Sequence, residues 1–171
     1  MPPPPVEQLL ADCKESALHL ELRDGYTADD PAFHAWKAGH RIDLNDRRSW
    51  WRPWLQNIVD ATSRGVRVRR ARIVSEPVSD YIRFEHGCTV PNVRAGEEVR
   101  WLSRRNATSL PLPANDFWLF DGQLLLVHHF SGAGDKVDTE IVDTDSVITF
   151  YRDAFEAVWQ RAVPHQDYRL V

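Results

Sequence analysis

The sequence predicts an α+β fold, a single domain in which helices pack on a mostly antiparallel or mixed sheet. Segments with apolar residues at helical spacing alternate with segments of strand-like alternation, and Asp121-Gly122 between two apolar runs is typical of a β-hairpin. The 171 residues are the length of one ordinary domain, and no internal repeat or low-complexity linker divides them. We expect a disordered proline arm over residues 1–5, the folded domain over residues 6–165 and a loose tail over residues 166–171.

The first part of the chain predicts three helices and one strand. Apolar residues recur every three or four positions from Val6 and then alternate with polar ones. Asp30 before Pro31 is typical of a helix start, because aspartate accepts hydrogen bonds from the first N–H groups and proline suits the first helical position. The expected elements are a helix from residue 6, a strand over 17–22, a helix from 31 that ends at Gly39, a polar surface loop over 40–50 and a helix from about 53 that ends at Gly65.

Residues 66–74 predict a strand with a flaw in its alternation. Val66 and Val68 face one way, whereas the apolar residues after Arg69-Arg70 fall on the opposite parity. A β-bulge at Arg69-Arg70 would restore the register, with the apolar residues inward and the arginines outward. We therefore predict that bulge.

The second half of the chain predicts a helix, four strands and a closing helix. Alternation, turn residues and a wide apolar stripe near the end define these elements. They are a short helix from about 78 to 84, strands over 97–103, 116–120, 123–130 and 136–142, a loop over 106–115, and a final helix from 145 or 146 to 162 that Pro164 stops.

Composition excludes several classes of protein. No apolar run approaches the roughly 20 residues that span a bilayer, and the N-terminus lacks the basic and apolar regions of an export signal, so we expect a cytoplasmic protein without membrane contact. The net charge of −4 does not favour nucleic-acid binding. Residues 64–105 nevertheless have ten basic and five acidic residues, a net charge of +5. This segment predicts either a basic face or a solvated strand edge.

Sequence motifs give no evidence for a metal, a cofactor or a nucleophile. Cys13 and Cys88 are too few and too widely spaced for a disulfide framework or a metal site, so we expect free thiols. His128 and His129 are adjacent in a strand and point to opposite faces, which prevents them from binding one metal together. No nucleotide-binding glycine loop or nucleophile motif is present. We expect no cofactor and no metal.

The densest polar cluster predicts a ligand pocket. Tyr81, Arg83 and Glu85 lie on the helix near residue 78, and a tyrosine, an arginine and a carboxylate together suit a small polar ligand. Asp116 and Asp121, which lie near the hairpin, are weaker ligand-binding candidates. The alternative for the cluster is a capped helix in which Arg83 pairs with the aspartate three residues before it.

A second set of residues predicts a partner surface. Trp50 and Trp51 stand between the polar loop and a helix, and exposed tryptophans often anchor protein interfaces. They would equally well fix the helix start to the core. The other members of the predicted surface are the arginines of the 66–74 strand, Arg67, Arg69, Arg70 and Arg72.

Four blocks of the sequence together resemble a known family. They are S-E-P-V-S-D-Y-I-R-F-E over residues 75–85, P-N-V-R-A-G-E-E-V over 91–99, D-F-W-L-F-D over 116–121 and Y-R-D-A-F-E-A-V-W-Q-R-A over 151–162. This combination resembles an uncharacterised actinobacterial domain family that is encoded near Xre-type helix-turn-helix regulators. The family implies no activity and no catalytic residues. A more distant similarity, in element order, is to effector domains of related regulators, some of which resemble the phospholipase D fold.

These observations favour a non-enzymatic regulatory or accessory domain that binds a helix-turn-helix regulator or a small ligand. The alternative is an enzyme of phosphodiester or nucleotide chemistry on a remodelled phospholipase D-like fold, although the H-x-K-x-x-x-x-D motif of that fold is absent. Direct nucleic-acid binding through residues 64–105 is the least favoured option, because the rest of the chain is acidic. A homodimer remains open.

Overall fold

The computed structural model describes residues 3–26 and 29–171, and five α-helices and seven strands lie within them. Two short 3₁₀ turns, at Arg47–Ser49 and Arg104–Ala107, complete the regular structure. The helices are α1 (Val6–Asp12), α2 (Pro31–Lys37), α3 (Pro53–Ser63), α4 (Asp80–Arg94) and α5 (Asp145–Arg161). The strands are β1 (Ser16–Glu21), β2 (Arg67–Val74), β3 (Glu98–Ser103), β4 (Phe117–Phe120), β5 (Leu124–Phe130), β6 (Lys136–Val142) and β7 (Val163–Pro164).

The strands of the described chain form one mixed sheet in the order β6-β5-β4-β1-β2-β3-β7. β1, β2 and β3 are parallel, and the remaining neighbours pair antiparallel. The predicted α+β fold with a mixed sheet is therefore confirmed. Local signals acted as expected: the Asp30 carboxylate accepts hydrogen bonds from the N–H groups of Ala32 and Phe33, and Asp121 and Gly122 adopt the positive φ angles of 51° and 65° that a tight hairpin turn requires.

The two faces of the sheet are covered differently. α5 packs on one face over a hydrocarbon core that includes Leu20, Ile73, Leu119 and Phe155. The other face is covered near β4 and β5 by α1 and α3, whose apolar residues form a second cluster. Between that cluster and a third one at β3 lies a band of buried polar residues beneath α4.

The predicted bulge in β2 is wrong. β2 pairs with β1 and with β3 in an unbroken register from Arg69 to Arg72. β2 is a central parallel strand, so both of its faces are buried and its apolar residues need not share one parity. Arg69 faces α5, whereas Arg70 and Arg72 face α4, and all three are at most 9% exposed.

The helix from about residue 78 is longer than predicted. It begins after Ser79, whose hydroxyl accepts a hydrogen bond from the Ile82 N–H, and it continues past Pro91 to Arg94. Proline cannot donate the backbone hydrogen bond of a helix interior, yet α4 continues through Pro91, and Thr89 and Asn92 on the same helix are buried.

The tail after residue 165 is packed, contrary to expectation. Tyr168 stacks on Trp101 with ring centroids 5.5 Å apart and donates a hydrogen bond to Glu76. The carbonyl of Val171 accepts a hydrogen bond from the Val78 N–H. At the other end, the first two residues of the predicted proline arm lie outside the described residues, and the carbonyl of Pro5 accepts the first hydrogen bonds of α1.

Candidate ligand-binding cleft

Glu21 is the centre of the polar band on the α4 face. One of its carboxylate oxygens accepts hydrogen bonds from Arg70 Nη1 at 2.9 Å and from His19 Nε2 at 3.1 Å, and the other accepts one from Arg72 Nε. All four residues are less than 10% exposed. Burial opposes ionisation of Glu21, but the charges of Arg72 and Arg70 outweigh it and hold its pKa well below the usual range.

A second carboxylate extends this network toward α4 and α3. Glu97 accepts hydrogen bonds from Arg70 Nε and from Asn92 Nδ2, both at 2.6 Å. The amide oxygen of Asn92 in turn accepts one from Arg52 Nη2 at 2.7 Å. Arg70 is therefore shared by two carboxylates, whereas Arg52 reaches the network only through a neutral amide.

Glu85 of α4 faces the same network but is not satisfied by it. Its Oε2 atom lies 3.7 Å from Arg72 Nε and has no hydrogen-bond partner among the described residues. Burial raises the pKa of this carboxyl to about 7, because it outweighs the opposing charge of Arg72. A carboxylate oxygen without a partner among the described residues can accept a hydrogen bond from a ligand.

Two adjoining cavities open beside these groups. The polar cavity, of about 370 Å³, is lined by Arg70, Arg72, Tyr81 and Glu85 among others. The apolar cavity, of about 380 Å³, lies between α2, the loop before α3 and α4. The two cavities share four of their lining residues, Ala32, Arg52, Phe84 and Cys88. We call the two cavities together the α2–α4 cleft.

Aromatic rings form much of the apolar cavity. Trp36, Trp50, Trp51 and Phe84 line it, and Trp50 and Trp51 are edge to face with centroids 6.1 Å apart. The indole nitrogen of Trp50 is buried and has no hydrogen-bond partner in the described chain. α2, which forms one wall, contains no buried residue and contacts α4 through rings such as Phe33 on Phe84.

Comparison with known families identifies the chain at the level of family. The family model described as Domain of unknown function (DUF6879) matches residues 4–170. The chain belongs to this family. The resemblance to an uncharacterised domain family is thus confirmed, and the cleft belongs to a DUF6879 domain.

Comparisons with individual proteins add the following. Comparison with the curated proteins gives no match. Among solved structures, the chain is similar to TrmBL2, described as an archaeal chromatin protein whose structure shows a novel mode of DNA binding, with 14% identity and a TM-score of 0.49. The similarity covers 92% of this chain and 48% of that one, so the chain spans about half the length of that structure.

The structure brings together two of the three residues in the predicted pocket. Tyr81 and Glu85 line the polar cavity of the DUF6879 domain, and burial raises the pKa of the Tyr81 hydroxyl. Arg83 is exposed on another side of α4 and lines neither cavity. The alternative ion pair is also wrong, because no acidic group among the described residues lies within 4 Å of the Arg83 guanidinium. Arg83 is excluded from the pocket because successive residues of a helix point in different directions.

Asp116 and Asp121 each accept hydrogen bonds from backbone N–H groups. Asp116 is buried and accepts hydrogen bonds from the Leu22 N–H at 2.8 Å and from the Tyr26 hydroxyl. Asp121 accepts hydrogen bonds from three N–H groups, those of residues 14–16, and from the thiol of Cys13. Although burial alone would raise the pKa of Asp121, these hydrogen bonds lower it to about 2. Neither residue lines the α2–α4 cleft.

The predicted partner surface divides into three parts. Arg69, Arg70 and Arg72 are buried, which contradicts their assignment to a surface. Arg67 is exposed and forms an ion pair with Glu98 at 2.6 Å. Trp50 and Trp51 are half-buried and line the apolar cavity.

Sequence reasoning missed several residues of the cleft and of the polar network behind it. Arg52 has no pattern around it, and His19 and Glu21 alternate with leucines as solvent-facing residues do. One signal was available in the sequence. The apolar residues of β2 fall at both odd and even positions, so both faces of the strand are buried and its arginines are buried with them. Buried arginines require carboxylates nearby. Glu97 and Asn92, which stand in the second of the four family blocks, meet part of that need.

The histidines of the polar band give little support to the phosphodiester alternative. His19 stacks on Trp118, and its Nδ1 lies 2.7 Å from the carbonyl oxygen of Phe117. Both ring nitrogens of His19 therefore lie within hydrogen-bond distance of an oxygen, from the Phe117 carbonyl and from the Glu21 carboxylate, and neither is open to a substrate. No group of three or more metal-ligating side chains is found in residues 3–26 and 29–171.

No helix in these ranges is both long and apolar enough to span a membrane.

Proposed function

We propose that this DUF6879 domain binds a small molecule in the α2–α4 cleft and does not transform it. The observation that supports the proposal is that two cavities of similar size, one apolar and one polar, adjoin at Arg52. Binding sites for small molecules commonly combine an apolar enclosure with a few polar groups that fix orientation.

The unpartnered polar atoms of the cleft give a second argument. Trp50 Nε1 is a buried donor and Glu85 Oε2 a buried acceptor, and both are unpaired within the described chain. Leaving such groups unpaired costs roughly 1–3 kcal/mol each. A ligand that satisfies them recovers part of this cost, and so binding is coupled to the stability of the cleft.

Titration with indole tests this function. We expect indole to bind the apolar cavity saturably and to shift the indole N–H signals of Trp36, Trp50 and Trp51 in ¹H–¹⁵N correlation spectra. The blocking variant is Ala35→Trp, because Ala35 lines the apolar cavity from α2. The matched control is Ala38→Trp, which adds the same side chain at an exposed position of the same segment.

Two results would contradict the proposal. One is an absence of saturable shifts in the wild-type protein. The other is equal indole binding by Ala35→Trp and Ala38→Trp, which would place the bound indole outside the cleft. Loss of binding in Ala35→Trp alone, with the folded dispersion of the spectrum retained, supports the cleft as the binding site.

We further propose a regulatory role beside a helix-turn-helix regulator in the cytoplasm of an actinobacterium, which follows from the family resemblance. Trp50 and Trp51, predicted as partner-binding residues, line the apolar cavity. Ligand binding would therefore change the surface that the partner contacts, and this supplies a route from the ligand to the regulator.

Native mass spectrometry at low salt on the protein purified from its own host tests the regulatory role. A co-purifying helix-turn-helix protein would support it. A bare monomer or a homodimer would contradict it without affecting the proposal that the cleft binds a ligand.

A further inference from the structure

The chemical class of ligand follows from the charges around the cleft and rests on the function proposed above. Three arginines, Arg52, Arg70 and Arg72, face four carboxylates, those of Asp30, Glu21, Glu85 and Glu97, in the polar cavity and the network behind it. The site has no excess of positive charge. A polyanion such as a nucleoside triphosphate is therefore disfavoured, because Arg52 is the single arginine of the three whose charge is not already paired with a carboxylate among the described residues.

Arg52 is the one guanidinium of the three that has no carboxylate partner within the described residues. Arg70 and Arg72 each form ion pairs with Glu21, whereas the Arg52 side chain has a single hydrogen bond, to the neutral Asn92 amide. Arg52 lines both cavities and is exposed, so an anion from solution can reach it. Its remaining N–H groups suit a planar carboxylate, which accepts two parallel hydrogen bonds.

Glu85 provides the complementary group. Glu85 lines the same polar cavity as Arg52, and its buried Oε2 atom receives no hydrogen bond within the described residues. A ligand N–H group beside Glu85 would satisfy this acceptor. Around the apolar cavity, the rings of Trp36, Trp50, Trp51 and Phe84 favour a flat aromatic body, since aromatic rings pack well in offset or edge-to-face contact.

We infer that the α2–α4 cleft takes a small aromatic zwitterion: a flat ring system enclosed by the tryptophans, a carboxylate bound by Arg52 and an ammonium or N–H donor bound by Glu85. A cavity of about 380 Å³ for the ring portion is at the small end of the range for ligand pockets. One or two fused rings fill such a volume.

Four indole probes separate the contributions of ring, anion and cation. They are indole, indole-3-propionate, tryptamine and L-tryptophan, and their affinities are measured by isothermal titration calorimetry at pH 8, above the raised pKa of Glu85. We expect L-tryptophan to bind at least about tenfold more tightly than indole, because a charged hydrogen bond commonly contributes that much to affinity. The two singly charged probes should fall between these limits.

Variants of the two polar residues assign each contribution. Arg52→Met should remove the advantage of the carboxylate-bearing probes and leave tryptamine unchanged, and Arg52→Lys should restore part of that advantage. Glu85→Gln should remove the advantage of the amine-bearing probes. Arg48→Met is the matched control, because Arg48 is an exposed arginine of the same loop that pairs with Asp46 and lines neither cavity.

The results distinguish this inference from the function on which it rests. If all four probes bind saturably with equal affinity, the zwitterion assignment is wrong and the cleft remains a binding site for apolar molecules. If L-tryptophan gains over indole but Arg52→Met and Arg48→Met lose the same amount, Arg52 does not bind the carboxylate and the assignment is also wrong. If no probe binds, the proposed function itself fails.

Discussion

The two faces of the sheet solve the same burial problem by different means. The α5 face is closed by hydrocarbon side chains, and its one buried arginine, Arg69, pairs with the half-exposed Glu156 at 2.6 Å. The α4 face instead buries Arg70, Arg72, Glu21 and Glu97 in one network. The α5 face is built for stability, whereas the α4 face accepts the cost of buried charge next to a cleft.

This difference has a general physical meaning. Replacing a buried ion pair by apolar residues is often neutral or stabilising, so stability alone does not explain such a network. The Oε2 atom of Glu85, which has no hydrogen-bond partner among the described residues, adds to the cost. Polar groups that are expensive and incompletely satisfied mark the part of a domain where function is expected, and here they lie in or behind the polar cavity.

The largest expected difference between the faces is in the cost of losing an arginine from β2. Arg72→Met leaves Glu21 and Glu85 with less compensating charge, and we expect it to lower the free energy of unfolding by about 3–5 kcal/mol. Arg69→Met should cost less than about 1 kcal/mol, because its partner Glu156 has a side chain that is 41% exposed and turns to water. Urea denaturation of both variants measures the difference.

The pair of variants is matched in residue type, strand and chemical change. The methionine at position 69 also retains packing near the rings of Phe155 and Trp159, above which the Arg69 guanidinium lies at 5.2 and 5.3 Å. Equal losses of stability in the two variants would mean that the α4 face depends on its buried arginine no more than the α5 face does.

Local patterns predicted much of the fold because they depend only on near neighbours in the chain. The Asp121-Gly122 hairpin and the start of α2 at Asp30 are of this kind. The structure of β2 does not depend only on near neighbours, because a β-bulge and a strand buried on both faces both fit its pattern of apolar residues. The choice between them depends on Glu21 and Glu97, which lie 49 and 27 residues from Arg70 and supply its counter-charges.

The cleft was predictable to a similar extent. Tyr81 and Glu85 stand in a dense polar segment, and the structure places both in the polar cavity. Arg52 gave no signal, because the role proposed for it depends on its having no carboxylate partner among the described residues, which only the folded chain reveals. Trp50 and Trp51 were recognised as unusual, but sequence alone left open whether they contact a partner or the core, and the structure adds that they line a cavity.

A change in stability of intermediate size is expected for Glu85→Gln on the α4 face. The pKa of Glu85 is raised to about 7 in the folded protein, so its contribution to stability is present below its unfolded pKa near pH 4.5 and is lost as pH rises through 7. We therefore expect Glu85→Gln to raise the free energy of unfolding at pH 8 by about 1–3 kcal/mol and to change it little at pH 5. The charged groups that act on Glu85 come from three places: Arg72 and Arg70 of β2, Glu21 of β1, and Asp116 before β4.

Glu156→Gln on the α5 face is the control for this prediction, and denaturation at pH 5 and pH 8 measures both variants. The effect of Glu156→Gln on stability should be small, because the side chain is 41% exposed. A gain in stability for Glu85→Gln that also appears at pH 5 would show that the ionised carboxylate is not the source of the cost.

The smallest expected effect is on the pH dependence of stability, and it concerns His128 and His129, two adjacent residues of β5 that point to opposite faces. Burial, together with the charge of His19, lowers the pKa of His128 to about 4, and its Nδ1 is buried without a partner in the described chain. His128 therefore becomes protonated near pH 6.5 in the unfolded chain but only near pH 4 in the folded chain, so the free energy of unfolding falls as pH decreases through this window.

His128→Leu should reduce that fall by about 1 kcal/mol. His129→Gln is the matched variant, because His129 is half-exposed on the other face and bonds Glu140 at 2.9 Å. Thermal unfolding from pH 7 to pH 4.5 tests both variants, and a parallel decline of wild type and His128→Leu would show that His128 on the α4 face contributes no more to acid sensitivity than its neighbour.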